Sequence, residues 1–479
     1  MTAPAARSPA AGSPALPGVL GRIRPRPRWL ELRLLALVAI ALAAGSLSLG
    51  ATLDGTFRLY DAQGLGIYIV ALFIAHAAQV LAGRRTDQIL LPTVAMLGGI
   101  SLLLMQRLPQ DLVVQSFGGR ELGLAQVQLI WLLGALIIAT TLGIVVRSDS
   151  WLRRYKYTWA AAGVGLLLLT FVFGSEINGQ RLTLVLGPLS GQPTEILKVI
   201  LVVFLAGYLS ENRALLVEQD TRVGPLRLPP VPYLAPMVAM WAIALGIVVV
   251  QRDLGAALLF FGVFLAMLYI ATGRISLVII GLVLFLLGSA VMANLFDHIR
   301  TRVDIWLDPF ADPLGAGFQV VQALHAFARG GLVGVGLGAG LPEIAGRPPI
   351  PEVHTDFPLA ALGEELGVLG VVAILGLFLV VVERGLRIGA AAADDFRSLL
   401  AVGLALVIGI QAFIIAAGNL KVLPLTGVTL PYISYGGSSL LANAVIVGLL
   451  LALSDKGVEP PPPPRAGARR RWLARGADR

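Results

Sequence analysis

Apolar residues run through this chain in long blocks, without the period-2 alternation of strands or the narrow stripes of soluble amphipathic helices. About twelve runs approach the ~20 residues that an α-helix needs to cross ~30 Å of hydrocarbon. They centre on residues 34–53, 63–82, 88–106, 125–146, 157–174, 194–210, 233–250, 254–271, 275–295, 357–382, 398–417 and 437–454. Only Gln251-Arg252-Asp253 separates the seventh run from the eighth, which predicts a tight hairpin. The expected fold class is an all-α polytopic membrane protein of about 12 transmembrane helices, because a chain in lipid has to satisfy its backbone internally. Two segments interrupt the pattern. Residues 296–356 are too long for an ordinary connection; they carry Arg300, Arg302, Asp304, Asp308, Asp312, Arg329, a glycine-rich stretch and His354-Thr355-Asp356. Residues 418–437 are semi-polar and rich in Pro and Gly, a pattern suited to backbone that dips back into the membrane where protein or water satisfies it. No internal repeat is visible, which argues against an inverted-repeat transporter.

Composition agrees with lipid as the solvent. The 479 residues are 57% apolar and only 14% charged, against about 25% charged in soluble domains. The net charge of +9 does not imply nucleic acid, because the basic residues, almost all arginine, fall between apolar runs and in the tails, as membrane orientation requires. Placing the N-terminus inside puts Arg84-Arg85, Arg147/Arg153/Arg154/Lys156, Arg213/Arg222/Arg227, Arg274 and Arg384/Arg387/Arg397 on the inner side. An even number of spans then returns the C-terminus to the cytoplasm. Residues 1–30 read as a disordered basic cytoplasmic tail and 456–479 as a Pro/Arg-rich one; the first apolar run is too long for a cleavable signal peptide. With no cysteine, disulfides, thiolate metal sites and thiol catalysis are excluded. Four scattered histidines, His76, His298, His325 and His354, do not suggest a metal cage.

Few side chains remain that carry chemistry. Asp356 lies just before a long apolar helix, where two roles are open: Thr355 or Asp356 caps the helix, or Asp356 is a partly desolvated general base. Glu364 lies eight residues on, about 12 Å down the same face if the segment is helical. Acids within a span are costly and are usually functional or paired; Glu364 and Glu365 fit either. Glu195 and Lys198, three apart, suit a self-neutralising pair or a substrate contact. Asp253 and Arg252 read as structural. Gly330-Gly331-Leu332-Val333-Gly334-Val335-Gly336-Leu337-Gly338 lacks the Lys-Ser/Thr ending of a phosphate loop. Gly436-Gly437-Ser438-Ser439 opens the last span, where its amides suit an anion or its small residues suit close packing.

Several stretches, in order over about residues 125–455, resemble the SEDS proteins (the RodA/FtsW family). Asn178-Gly179-Gln180-Arg181, Leu186-Gly187-Pro188 and Gln192-Pro193-Thr194-Glu195 with Lys198 resemble the family's N-G-A-R-R-W-I-x-L-G-P…Q-P-S-E…K. Gln251-Arg252-Asp253-Leu254-Gly255 resembles Q-P-D-L-G, Leu307-Asp308-Pro309-Phe310-Ala311-Asp312-Pro313 resembles L-D-P-x-x-D-P, and Ala328-Arg329-Gly330-Gly331-Leu332 resembles the start of a glycine-rich motif. Pro351-Glu352-Val353-His354-Thr355-Asp356-Phe357 with Gly363-Glu364-Glu365-Leu366-Gly367 resembles P-E-x-H-T-D-F…E-E-L-G, and Leu423 to Ser439 is nearly identical to the family's most recognisable run. Arg252 replaces a usual proline, Leu182-Thr183-Leu184 replaces R-W-I, and Ala328-Arg329 replaces Gly-Ser.

The resemblance implies a ten-helix core with two extra N-terminal helices. The boundaries are an additional region at 31–124, the core at 125–455 and an extracytoplasmic loop at 296–356. It implies a peptidoglycan glycosyltransferase that polymerises lipid II into β-1,4-linked glycan at the outer face of the bacterial plasma (inner) membrane, during elongation or division. Asp356 would be the general base. Arg302, Arg329 and Lys421 are candidates to meet the leaving diphosphate, with a divalent cation (Mg or Mn) as a possible cofactor. Glu352, His354, Thr355, Glu364, Glu195, Lys198 and Ser438 are supporting candidates. The implied partner is a class B penicillin-binding protein, a transpeptidase. Two other readings are a lipid II flippase, which would rely on Glu195 or Glu364 rather than Asp356, and a non-catalytic scaffold, for which none of these acids is essential.

Overall fold

The computed structural model describes residues 25–117, 120–177, 180–186, 189–218, 221–223, 226–228, 231–250, 253–340 and 349–455. The two expected tails, apart from residues 25–30, and the Gln251-Arg252 hairpin lie outside the described residues. All twelve apolar runs are helical. In chain order the helices are α1 (Trp29–Leu53), α2 (Ala62–Leu81), α3 (Leu90–Arg107), α4 (Leu124–Val145), a short α5 (Ser150–Arg154), α6 (Lys156–Phe173), α7 (Pro193–Glu218), α8 (Val231–Val250), α9 (Leu254–Thr272) and α10 (Ile275–Leu295). They continue as α11 (Asp297–Leu307), α12 (Phe318–Gly330), α13 (Pro358–Ala390), α14 (Asp395–Asn419) and α15 (Gly437–Leu453). Among the described residues ten helices are long and apolar enough to cross a membrane. The 17-residue α15 is shorter, and α8 is not among the ten, so ten of the twelve expected spans are long and apolar enough among the described residues. The chain is an all-α polytopic membrane protein.

Burial sorts the helices. The spans α3, α7 and α14 are the most enclosed, while α10 is almost wholly exposed and packs chiefly on α9. A helix that is apolar all round and bare of protein faces lipid. One end of the bundle gathers the N-terminus of α1, the α2–α3 turn, the C-terminus of α13 and the C-terminus of α15. There Arg84 pairs with Asp455 at 2.8 Å and Arg397 with Asp149 at 3.5 Å. The opposite end gathers residues 296–340, 349–356 and 420–436.

The long segment 296–356 is not a plain loop: it folds into α11, a 3-10 turn at Pro309–Ala311 and α12. The glycine-rich stretch that follows has a structural explanation. Inside α13 the backbone leaves helical geometry at Gly367 (φ 68°, ψ −171°), which frees amides and carbonyls on either side of the break. The amides of Val335 and Gly336 donate to the carbonyls of Glu364 and Glu365, both at 3.0 Å. The amides of Val368 and Leu369 donate to the carbonyls of Gly331 and Leu332 at 3.0 and 3.1 Å. Irregular backbone at membrane depth survives only when protein satisfies it in this way. Glycine is required for the approach: a Cβ on Gly334, whose φ is +84°, would lie 2.1 Å from the Glu365 carbonyl oxygen. The segment at 420–436 is likewise non-helical and largely buried from Val428 to Ser434; Ser101 donates from Oγ to the Ile433 carbonyl at 2.6 Å.

Candidate active site

At the end opposite the start of α1 and the close of α15, α11, the start of α12, the turn before α13 and the segment after α14 line a cavity of about 310 Å³. Asp356, Arg302 and Lys421 line it, with Trp306 and Gln319 beside them. Sequence had named the three charged residues; only folding brings them together, from positions far apart in the chain.

Asp356 sits in a turn, not on the helix. Its amide donates to the Glu352 carbonyl at 2.9 Å. The N-cap of α13 is Phe357, which makes no side-chain cap bond, with Pro358 opening the helix. Proline at the first helical position has no N–H to satisfy. Neither Thr355 nor Asp356 therefore caps α13. Thr355 instead donates from Oγ to the Glu352 carboxylate at 3.1 Å. The helical-face relation between Asp356 and Glu364 is also absent, because the helix begins only after Asp356.

The turn is held through its carbonyls. The Tyr435 amide donates to the His354 carbonyl at 2.8 Å, Ser434 Oγ to that of Thr355 at 2.5 Å, and Asn419 Nδ2 to that of Asp356 at 2.8 Å. Three successive carbonyls thus bind the end of α14 and the loop after it. Among the described residues the Asp356 carboxylate itself has no hydrogen-bond or ion-pair partner. Burial, reinforced by the nearby Glu352 charge and opposed by Arg302, pushes it up to about 6. Burial also lowers His354, with Glu352 opposing, so the imidazole is neutral at pH 7.

Both cations of the cavity are fixed by carbonyls and have no acidic partner among the described residues. Arg302 Nη1 donates to the Leu425 carbonyl at 3.0 Å and Lys421 Nζ to that of Leu307 at 3.3 Å. Lys421 also adopts a left-handed backbone, φ 59°, where α14 ends and the Lys421 amide bonds back to Gly418. Glycine or asparagine usually fills that position; Lys costs about 1–2 kcal/mol there. Trp306 Nε1 donates to the Lys421 carbonyl at 3.2 Å and helps hold the conformation.

The other sequence candidates lie elsewhere. Arg329 pairs with Glu364 at 3.0 Å, and Glu365 with buried Arg107 at 2.7 Å and the Gly338 amide at 2.8 Å. These pairs flank the break in α13 and do not line the cavity. Lys198 is 2% exposed and donates to Glu195 (2.6 Å), Gln411 (2.8 Å) and Asn443 (3.1 Å). Gln411 passes the network to the Thr429 carbonyl at 2.9 Å, and Thr429 meets Ser439 at 2.7 Å. This polar core supports the 420–436 loop from below. Ser438 Oγ accepts from the Gln192 amide at 3.1 Å, joining α15 to the start of α7. Asp253 caps α9 through the Ala256 amide at 3.0 Å, as expected of a structural residue. Sequence reasoning missed Asn419, Ser434, Trp306 and Gln319. Ser434 lay within a quoted motif; the other three carry no local signal. Among the described residues no group of three or more His, Asp or Glu side chains gathers to hold a metal ion.

The chain is thus a polytopic helical bundle with a carboxylate and two cations gathered in a cavity at one end. The comparisons place it further. The model of the FtsW/RodA/SpoVE family of cell cycle proteins matches residues 87–458, and the chain belongs to that family. The match begins ahead of α3, leaving α1 and α2 before it. A protein named peptidoglycan glycosyltransferase RodA, from Mycobacterium bovis, is 39% identical over 440 residues, covering 91% of this chain and 92% of the relative. One from Nitrosococcus halophilus named probable peptidoglycan glycosyltransferase FtsW is 41% identical over 297 residues, covering 60% and 72%. A solved chain reported under "structural coordination of polymerization and crosslinking by a peptidoglycan synthase complex" superposes with a TM-score of 0.61 at 29% identity, covering 77% of this chain and 98% of that one.

Proposed function

We propose that this protein is a peptidoglycan glycosyltransferase that polymerises lipid II at the outer face of the plasma membrane, with Asp356 as general base. The observation that carries the reading is the cavity itself. A base poised near pH 6 shares the cavity with Arg302 and Lys421, neither of them held in an ion pair among the described residues. Asp356 takes the proton of the acceptor's GlcNAc 4-hydroxyl as that oxygen attacks the donor's anomeric carbon. The bond from that carbon to the diphosphate breaks, and undecaprenyl diphosphate leaves with the electron pair. One displacement with one base inverts the anomeric centre and gives a β-1,4 link. Arg302 and Lys421 meet the negative charge that develops on the diphosphate. Their carbonyl contacts hold them in place beforehand, so little reorganisation accompanies the reaction. A divalent cation (Mg or Mn), the cofactor the resemblance implies, would be held chiefly by the substrate phosphates, because among the described residues no group of three or more His, Asp or Glu gathers to ligate it.

The flippase reading loses support from the same geometry: Glu195 and Glu364, the acids it would use, are matched by Lys198 and Arg329. Coverage of 91% by a relative named RodA, against 60% by one named FtsW, favours a role in elongation. The complex that superposes on this chain supports a class B penicillin-binding protein as partner. The arginines gathered at the end where α1 begins and α15 closes support placing that end, and with it both tails, on the cytoplasmic side.

The test is lipid II polymerisation in proteoliposomes, wild type against Asp356→Asn, each with and without the co-expressed partner. Glycan chains from wild type alone are expected. Normal chains from the Asn variant would remove Asp356 from the mechanism, and no chains from wild type under any condition would return the flippase reading to first place.

A further inference from the structure

A cavity of about 970 Å³ lies at the opposite end of the bundle from Asp356. It opens at the seam between the α1–α2 hairpin and the ten-helix family core. Seven arginines line it, against two acids, Asp87 and Asp455. Most of the arginines have structural duties. Arg28 is buried against Glu31 and donates to the Thr86 carbonyl at 3.1 Å. Arg84 holds Asp455, Arg384 holds Asp87, Arg397 holds Asp149 and Arg387 holds Glu383. Arg26 and Arg85 remain: among the described residues neither side chain has an ion-pair or hydrogen-bond partner, and both line the cavity. The helix N-termini here are already occupied. Asp87 accepts from the amides of Ile89 and Leu90, and Asp394 caps α14.

The mouth of the cavity is apolar on one side. Leu30 lines it and is 48% exposed; with Leu37 and Ile40, also exposed, it forms a stripe along α1 that faces lipid. A site with excess positive charge in its wall and acyl-chain surface at its lip fits an amphiphile that carries phosphate. We propose that this cavity binds the phosphate of an anionic phospholipid headgroup drawn from the leaflet at that end, with Arg26 and Arg85 as cationic contacts. The ligand clasps the N-terminal hairpin to the core, because Arg26 enters from the hairpin and Arg85 from the turn that leads into α3. Basic pockets between membrane helices are suited to such headgroups. The site is independent of the chemistry at Asp356.

The experiment is native mass spectrometry of the detergent-solubilised full chain, titrated with phosphatidylglycerol, with phosphatidylcholine of the same acyl chains, and with inorganic pyrophosphate. Phosphatidylglycerol is expected to be retained at least tenfold more tightly than phosphatidylcholine. The double variant Arg26→Gln/Arg85→Gln should weaken it about twenty-fivefold, from roughly fivefold per arginine. Arg300→Gln, an exposed arginine at the other end, should change nothing. Equal retention of the two lipids, a double variant that binds like wild type, or an equal loss in Arg300→Gln would overturn the proposal. Pyrophosphate that displaces the lipid with comparable affinity would show a soluble anion as the ligand and overturn the lipid source. Wild-type retention must also weaken with added salt; salt-independent retention would refute the charge argument without any variant.

Discussion

Replacing Asp356 by Asn should do two opposite things. It removes the group that accepts the acceptor's proton, so polymerisation is lost. It also removes a carboxylate that the fold holds ionised at a cost. The group's ordinary value is 3.8 and in the fold it is about 6, so the folded protein binds the proton more tightly than the unfolded chain. For an acid with a raised value, stability is unaffected below about pH 4, falls as pH rises between about 4 and 6, and carries the full penalty above 6. At 1.36 kcal/mol per unit this is about 3 kcal/mol. Asp356 is partly exposed, so solvent reduces the figure to about 1–3 kcal/mol. The Asn variant should therefore unfold at higher temperature than wild type at pH 7.5, and the difference should vanish near pH 4. Thermal unfolding in detergent at both pH values, beside the lipid II assay, reads the two effects. An inactive variant that is less stable than wild type at pH 7.5 would refute the burial argument. An active one would refute the assignment of the base.

The neighbouring charges predict shifts in the pH profile of polymerisation, which should fall on the acid side as Asp356 takes its proton. Glu352→Gln removes a repulsive charge and should move that limb down by about 0.5–1 pH unit, whereas Arg302→Gln should move it up by a similar amount and lower the rate; movement in the same direction by both would contradict the cavity's electrostatics. Gly334→Ala should cost more than about 2 kcal/mol and the monodisperse peak in size exclusion, because the added Cβ meets the Glu365 carbonyl in a left-handed backbone. Lys198→Met leaves the half-buried Glu195 without its cation, and should cost about 1–3 kcal/mol in unfolding experiments; a variant as stable as wild type would show that the network does not support the 420–436 loop.

Sequence by itself determined the helices. A run of about twenty apolar residues in lipid has no satisfactory alternative to helix, so all twelve runs were legible with their approximate ends. Composition excluded a soluble protein, and the His-Thr-Asp turn and the Leu423–Ser439 run marked the segments that build the site. Which residues meet was decided only by tertiary structure. Arg302, Asp356 and Lys421 converge because α11 folds back over the end of α14, and nothing periodic in the sequence encodes that return. Arg329 carries the same charge as Arg302 and lies in the same segment, yet it is drawn away to Glu364 by the way α12 packs on α13. The glycine-rich stretch is legible as permissive backbone, but its purpose is the break at Gly367, a distant partner whose exposed amides and carbonyls need hydrogen bonds inside the membrane. Local sequence specifies what each segment can satisfy within itself; the groups left over find partners only when the bundle closes.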